Sequence, residues 1–358
     1  MSPTFFLKIV NGKLILWDYK NHNQFEITKE HLLRIIEISQ GVEFSDSKID
    51  RDIRESNIFD TFDAKRWGWD MLSYIFHLGT QAGLFSGQEL SRHANFDGYV
   101  EYCDSIVEKI PNVHIEREGN IVSLPDVKNN TLFNVPLKQA LLERYSCRNY
   151  NKTPLSIEQL SIALWYTFGT VHGSERNDLH EHGMMPVGYR RTSPSGGSMH
   201  PSEPYVVALN VDGLEAGVYH YRSRKHELTK ISDALADGDL GGLLSGQSFA
   251  DQLSYGVFIV SRFDKMWWKY PHSRAYRVAL LDIGCLIQTF QLINTAIGIQ
   301  SWPTGYFLDH EINKLLNLDT EIESSMFFLG AGYGSGSVSK EALESIDRFV
   351  AKNENLII

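Results

Sequence analysis

Two short apolar runs near the N-terminus, FFLKIV and LILWDY, flank the tripeptide NGK, and Asn-Gly between such runs is the strongest short-range signal for a β-hairpin. The next segment, ITKEHLLRIIEISQG, changes period. Thr28 is placed to cap a helix, Leu32, Ile35, Ile36 and Ser39 recur along one stripe, and Gly41 ends it. Strands followed by a helix predict a small α+β module. After the polar residues 42–65, WGWDMLSYIFHLGTQAGLF reads as an apolar helix, whereas residues 87–133 show no clear period. A domain boundary is therefore expected near residue 133, with segments 1–133 and 134–358 on either side.

From residue 134 the pattern sharpens. Ser156 and Gln159 form a capping box that opens a helix whose Leu160, Leu164 and Phe168 repeat every four residues. Strands are predicted at YVVALN (205–210), GVYHY (217–221), YGVFIVS (255–261) and MFFLGAG (326–332). Between the last two runs RVALLDIGCLIQTFQLINTAIG, residues 277–298, with Asp282 as its single formal charge after Arg277, plus two glutamines and an asparagine. A membrane span of roughly 20 residues is more uniformly apolar than this. The segment reads as a buried helix, in a core or, the favoured reading, across a subunit interface. GAGYGSGSVS (330–339) reads as a flexible Gly/Ser turn.

Composition narrows the class without deciding it. At 358 residues the chain can bury two cores without disulfide or metal staples. Cys103, Cys147 and Cys285 are widely separated and form neither CxxC nor a Cys/His metal spacing. A reducing compartment and no metal site follow as expectations. The start, MSPTFFLKIVNGK, lacks the basic, apolar and small-residue pattern of a signal peptide, so the cytoplasm is expected and a membrane is not. A net charge of −10 argues against a nucleic-acid backbone as partner, since phosphate binding needs a basic surface.

Four stretches carry candidate chemistry. In RYSCR, extended backbone would point Arg144, Ser146 and Arg148 to one side, where two guanidinium forks and a hydroxyl suit a phosphate, although on this motif alone a solvated strand edge near a helix cap is the favoured reading. In SPSGGS, hydroxyls and unhindered amides suit either close approach of a ligand or a surface turn. MWWKYPHSRAYR sets Lys269 and Tyr270 among aromatic residues, so the lysine either loses proton affinity by desolvation or snorkels to water. WPTGYF (302–307) offers Gly305 in a turn. No GxGxxG, Walker, HExxH or GxSxG motif and no paired-carboxylate pattern is present.

Taken in order, RYSCRNY, SPSGGSMHPSEPYVV, GVYHY, WWKY with SRAYR, the long apolar helix, PTGYF and FFLGAG resemble the flavin-dependent nitroreductase superfamily. The closer likeness is to its SagB-type branch, the azoline dehydrogenases of peptide natural-product pathways. Pro194 to Tyr205 matches that branch's PSGGxxHPxExY pattern, and Gly217 to Tyr221 and Lys269-Tyr270 match two more of its motifs. The likeness covers residues 134–335; Thr304 stands where a second glycine is common.

That resemblance implies an α+β fold: an FMN-binding domain with a mixed sheet flanked by helices, preceded by a small α+β accessory domain that binds peptide or supports a dimer. Arg144, Ser146 and Arg148 would take the FMN phosphate and ribityl end. Pro194, Ser195, Gly196, Gly197 and Ser198 would line the isoalloxazine, with Gly305 near N5. Lys269 and Tyr270 would transfer the proton as a thiazoline or oxazoline becomes an azole. A homodimer, an azoline-containing peptide and a cyclodehydratase complex are the implied partners. Two other readings stay open: an NAD(P)H-dependent reductase on the same scaffold, and a flavin-binding scaffold subunit of a peptide-modifying complex.

Overall fold

The structure is a computed structural model that describes residues 5–19, 21, 23–59, 67–81, 96–127, 131, 134–173 and 176–354. The chain divides into two compact units, residues 1–99 with 272–274, and residues 100–271 with 275–358. The division lies upstream of the expected boundary near 133. Strand Ile121–Ser123 hydrogen-bonds to Glu227–Asp233 and so belongs to the larger sheet, although its sequence shows no period of its own.

In the smaller unit, strands Phe5–Val10, Lys13–Asp18 and Asn23–Ile27 form a three-stranded antiparallel sheet. Val10 pairs with Lys13 around Asn11 and Gly12, both at positive φ, as the Asn-Gly signal requires. Thr28 caps helix Lys29–Ser39 through the His31 amide, and Leu16, Ile35, Ile53 and Ile58 close the core. The apolar run 67–85 is helical over Met71–Gly79, and its residues 82–85 lie outside the described residues.

The larger unit is built on a seven-stranded sheet. In spatial order its strands are Gln300–Thr304, Glu323–Gly332, Tyr255–Arg262, Ser202–Ala208, Gly217–Arg222, Glu227–Asp233 and Ile121–Ser123. Every pairing within it is antiparallel, and parallel pairing enters only beside it, at the Ser146–Ser301 bridge and at Leu155–Ser156 with Val211–Asp212. Both central strands are buried on both faces, which is why YVVA and YGVFIVS read as continuous apolar runs. Successive side chains feed opposite cores: Val206, Val257 and Ile259 pack with Leu160, Leu164, Phe168, Leu286 and Phe290, whereas Tyr205, Val207, Phe258 and Val260 pack with Leu244, Ile312 and Phe328.

Two helices cover the first face. Helix Ile157–Phe168 opens with the predicted capping box at Ser156 and Gln159. Helix Arg274–Ala296 is long and apolar enough to cross a membrane by length and composition, yet Asp282, Thr289 and Asn294 on it have hydrogen-bond partners inside the unit. Asn294 Oδ1 accepts from Tyr255 Oη at 2.9 Å, and Asn294 Nδ2 donates to Phe290 O at 2.8 Å. The expected subunit-interface helix is thus a core helix along one side. Leu280 and Leu281 point outward from it.

Phe290 is fully buried and meets the Tyr255 ring edge-on, so Phe290→Ala is expected to lower the unfolding free energy by about 3–5 kcal/mol. Equilibrium denaturant unfolding measures this, and a loss below about 1 kcal/mol would show that the site collapses around the truncation.

Candidate functional site

The loop before the central strand is stapled to the long helix. Ser195 Oγ donates to Asp282 Oδ2 at 2.6 Å, and the Gly196 amide donates to both Asp282 oxygens at 3.1 and 3.2 Å. The His200 amide in turn donates to Ser195 Oγ at 2.9 Å. Two helical turns further along, Thr289 and Ser193 join hydroxyls at 2.6 Å. Residues Gly196–Ser198 close a single 3₁₀ turn between these staples. Burial pushes the Asp282 carboxyl above the usual carboxylate range, while the Ser195 and Gly196 hydrogen bonds oppose that rise.

Lys269 and Tyr270 meet this loop at Gly197. Lys269 ends helix Phe263–Lys269, is 1% exposed, and donates from Nζ to Met184 O at 2.8 Å and Gly197 O at 3.2 Å. Burial lowers its ammonium pKa from the ordinary lysine value. The snorkelling alternative does not apply, because the ammonium turns inward. Gly197 sits at φ 60°, and a Cβ there would stand 2.2 Å from Tyr270 Oη; one on Gly196 would stand 2.3 Å from Val278 Cγ1. The glycines therefore admit the chain's own side chains. The expected role is close approach of a ligand or a surface turn; what the glycines approach within the chain is Tyr270 and Val278.

The phosphate candidates form a second group beside the edge strand Gln300–Thr304. Ser146 bridges Ser301, Cys147 is buried beneath, and Arg144, Ser146 and Arg148 are each half-buried. Neither the Arg144 guanidinium nor the Ser146 hydroxyl has a hydrogen bond or ion pair among the described residues, and Arg148 commits Nη1 to Ser337 O at 2.9 Å. The Gly/Ser turn read as flexible is tied to this stretch: Arg148 N donates to Gly336 O at 3.0 Å and Ser335 N to Asn149 O at 2.9 Å. Gly305 follows the strand that Ser146 bridges and is exposed, as is Pro194. Ser198 Oγ is buried without a partner among the described residues.

Sequence reasoning passed over a buried polar cluster beside the loop. Lys265 is fully buried, donates to His200 O at 2.8 Å and lies 3.5 Å from Glu203 Oε1. Burial pushes the Lys265 ammonium down, and Glu203, despite its own burial, is held low by Lys265. Arg191 donates to Ser202 O at 2.7 Å. Two signals were available: Lys265 and Lys269 stand four apart, hence on one helix face, and Asp282 is the lone charge of an apolar helix.

Comparison with known proteins matches residues 141–333 to the nitroreductase family. The Methanocaldococcus jannaschii protein MJ1384, which carries a nitroreductase name, is 27% identical over 197 residues, 55% of this chain and 89% of its own length. The microcin B17-processing protein McbC of Escherichia coli is 26% identical over 244 residues, 61% of this chain and 87% of McbC. The trifolitoxin-processing protein TfxB of Rhizobium leguminosarum bv. trifolii is 32% identical over 143 residues, which span only 38% of each chain.

Asp282 accepts three charge-assisted hydrogen bonds out of water, so Asp282→Ala is expected to cost about 2–4 kcal/mol of stability and Asp282→Asn less, because an amide oxygen still accepts. Denaturant unfolding of both variants checks the order. Equal losses would mean that packing, not these bonds, holds the loop.

Proposed function

The chain belongs to the nitroreductase family, and on that premise we propose that it is an FMN-dependent dehydrogenase that oxidises azoline rings of a peptide to azoles. The family's cofactor is FMN, which has a phosphate at one end and a flat polar ring system at the other. The residues present fit it. Arg144 and Ser146 carry donors without partners among the described residues, Arg148 keeps donors beyond the one given to Ser337 O, and Ser198 brings a buried unpaired hydroxyl. In this reading the two arginines and Ser146 hold the phosphate, and residues Pro194 to Ser198 with Gly305 line the ring.

Conversion of an azoline to an azole removes one proton and one hydride from the ring. FMN supplies the hydride acceptor when bound, with molecular oxygen as the final oxidant. The chain's own part is to hold the ring and take the proton. The observation that carries this reading is the contact of Lys269 Nζ with the Gly197 carbonyl, beside Tyr270. A buried amine of lowered proton affinity, fixed against the flavin loop, is suited to act as a base below the pH an ordinary lysine requires, with Tyr270 as its partner in proton transfer. A peptide substrate is supported by two relatives named for processing microcin B17 and trifolitoxin. A cyclodehydratase complex would be the source of the azoline.

The outward Leu280 and Leu281 of the long helix support a homodimer, in which a second copy covers them. In the smaller unit, strand Asn23–Ile27 ends the three-stranded sheet, and its outer edge, unpaired by any strand among the described residues, suits an extended peptide. The accessory role we assign to that unit is capture of the peptide.

Arg148→Glu is expected to purify without the yellow flavin absorbance, and full FMN occupancy in that variant would move the phosphate site elsewhere. Lys269→Ala and Tyr270→Phe are expected to keep FMN and lose on the order of 10² to 10⁴ in turnover, read as loss of two mass units per ring from an azoline peptide in air. Lys269→Arg should fail as Ala does, since a guanidinium is not deprotonated. Only the neutral amine accepts the proton, so wild-type kcat/KM should rise with pH and level off below the pH an ordinary lysine requires. Single mutants within a few-fold of wild type, or rapid bleaching of the flavin by NADPH without peptide, would favour the reductase reading.

A further inference from the structure

A cavity of about 400 Å³ opens beside strand Gly217–Arg222, walled by His114, Tyr189, Glu203, His220 and Arg224. A lobe of about 650 Å³ shares His114, Tyr189 and Arg224 with it. No residue of the 194–198 loop lines either lobe, nor does Lys269 or Tyr270. Tyr189 forms a stiff wall, stacked between His114 at 5.7 Å and His200 at 5.6 Å.

Two features of this cavity are unusual for packing alone. His220 is 1% exposed, and neither of its ring nitrogens has a hydrogen-bond partner among the described residues. Its Nε2 stops 3.7 Å from Glu203 Oε2, beyond hydrogen-bond reach. Buried polar atoms are nearly always satisfied, so the acceptor nitrogen of a neutral His220 and the Glu203 carboxylate can both accept from whatever enters.

The second feature is the charge balance. Arg222 is held by Glu116 and Glu227, Lys225 by Glu116, and Glu203 by Lys265. Arg224, exposed at the neck between the lobes, has no hydrogen bond or ion pair among the described residues. Glu181 also lines the larger lobe, so what distinguishes Arg224 is that no ion pair holds its charge among the described residues. The neighbouring rings report the same field. Burial first, then Arg224 and Lys265, push the His114 imidazole down to about 4.

We propose that this cavity is a second binding site, separate from the flavin loop, for a small amino or hydroxy acid. Arg224 pairs with the ligand carboxylate, and Glu203 with His220 accepts its ammonium or hydroxyl hydrogens. The Tyr189 wall confines the ligand between them.

The test uses the whole FMN-loaded protein and the twenty proteinogenic L-amino acids, each titrated singly with ligand-observed NMR. Saturable binding of at least one is expected, with about tenfold or greater weakening for its carboxamide and for the Arg224→Gln variant. Arg224 is exposed and outside the core, so that variant should keep its FMN content and unfolding midpoint. His220→Phe should weaken the same ligand. No saturable binding up to about 10 mM, or binding unchanged by amidation and by Arg224→Gln, overturns the proposal. The readout is binding, so failure here would leave the dehydrogenase reading untouched, and failure of that reading would leave this site standing.

Discussion

The arrangement of the candidate site depends on one buried carboxylate. Asp282 sits on an apolar helix where an unpaired charge would be strongly disfavoured, and the partners that compensate it are the Ser195 hydroxyl and the Gly196 amide. Because those donors belong to the loop, satisfying Asp282 fixes the loop. Its height above the helix then sets where Gly197 lies, and with it the contact to Tyr270 and the carbonyl that Lys269 reaches. Drawing the loop away would release both donors and unseat the lysine in the same movement. The local geometry is therefore coupled, and no side chain in it is positioned alone.

The same helix explains how so apolar a segment stays unique in its packing. Three of its polar residues have an address: Asp282 the loop, Thr289 the Ser193 hydroxyl, Asn294 the Tyr255 phenol. A helix of leucine and isoleucine alone could slide by a turn against the sheet at modest cost, whereas a slide here would strand buried polar groups. The outward leucines carry no such constraint, and burying them needs only a second apolar surface.

Much of this was legible in the sequence where a local rule operates. The Asn-Gly hairpin, the Ser156–Gln159 cap and the doubly buried central strands follow from turn chemistry, capping and apolar runs, each of which acts over a few residues. Strand Ile121–Ser123 was not legible, since three residues have no period and its place is set by pairing with a strand more than a hundred residues later. The grouping of Lys269, Tyr270 and the Gly-rich loop came from ordered motifs, but the reason for the glycines did not. That reason is the Tyr270 phenol and Val278, which only folding brings there. Likewise Asp282 was visible as an isolated charge, while its partners 86 and 87 residues away were not.

Lys265 and Lys269 show how one residue type acquires two roles one turn apart. Both are buried on the same helix, and burial lowers the proton affinity of each. Lys265 faces a carboxylate, Glu203, whose charge restores much of what desolvation removes, and neutralising it would leave that buried charge unbalanced. Lys269 is held by the carbonyl oxygens of Met184 and Gly197. Carbonyl dipoles orient an ammonium, but unlike a carboxylate they leave no net charge behind when the proton departs. Of these described partners, only the carboxylate at Lys265 would keep a buried charge after the proton departs. The charge of the acceptor, more than the depth of burial, separates a lysine that braces the fold from the one to which we assign proton transfer.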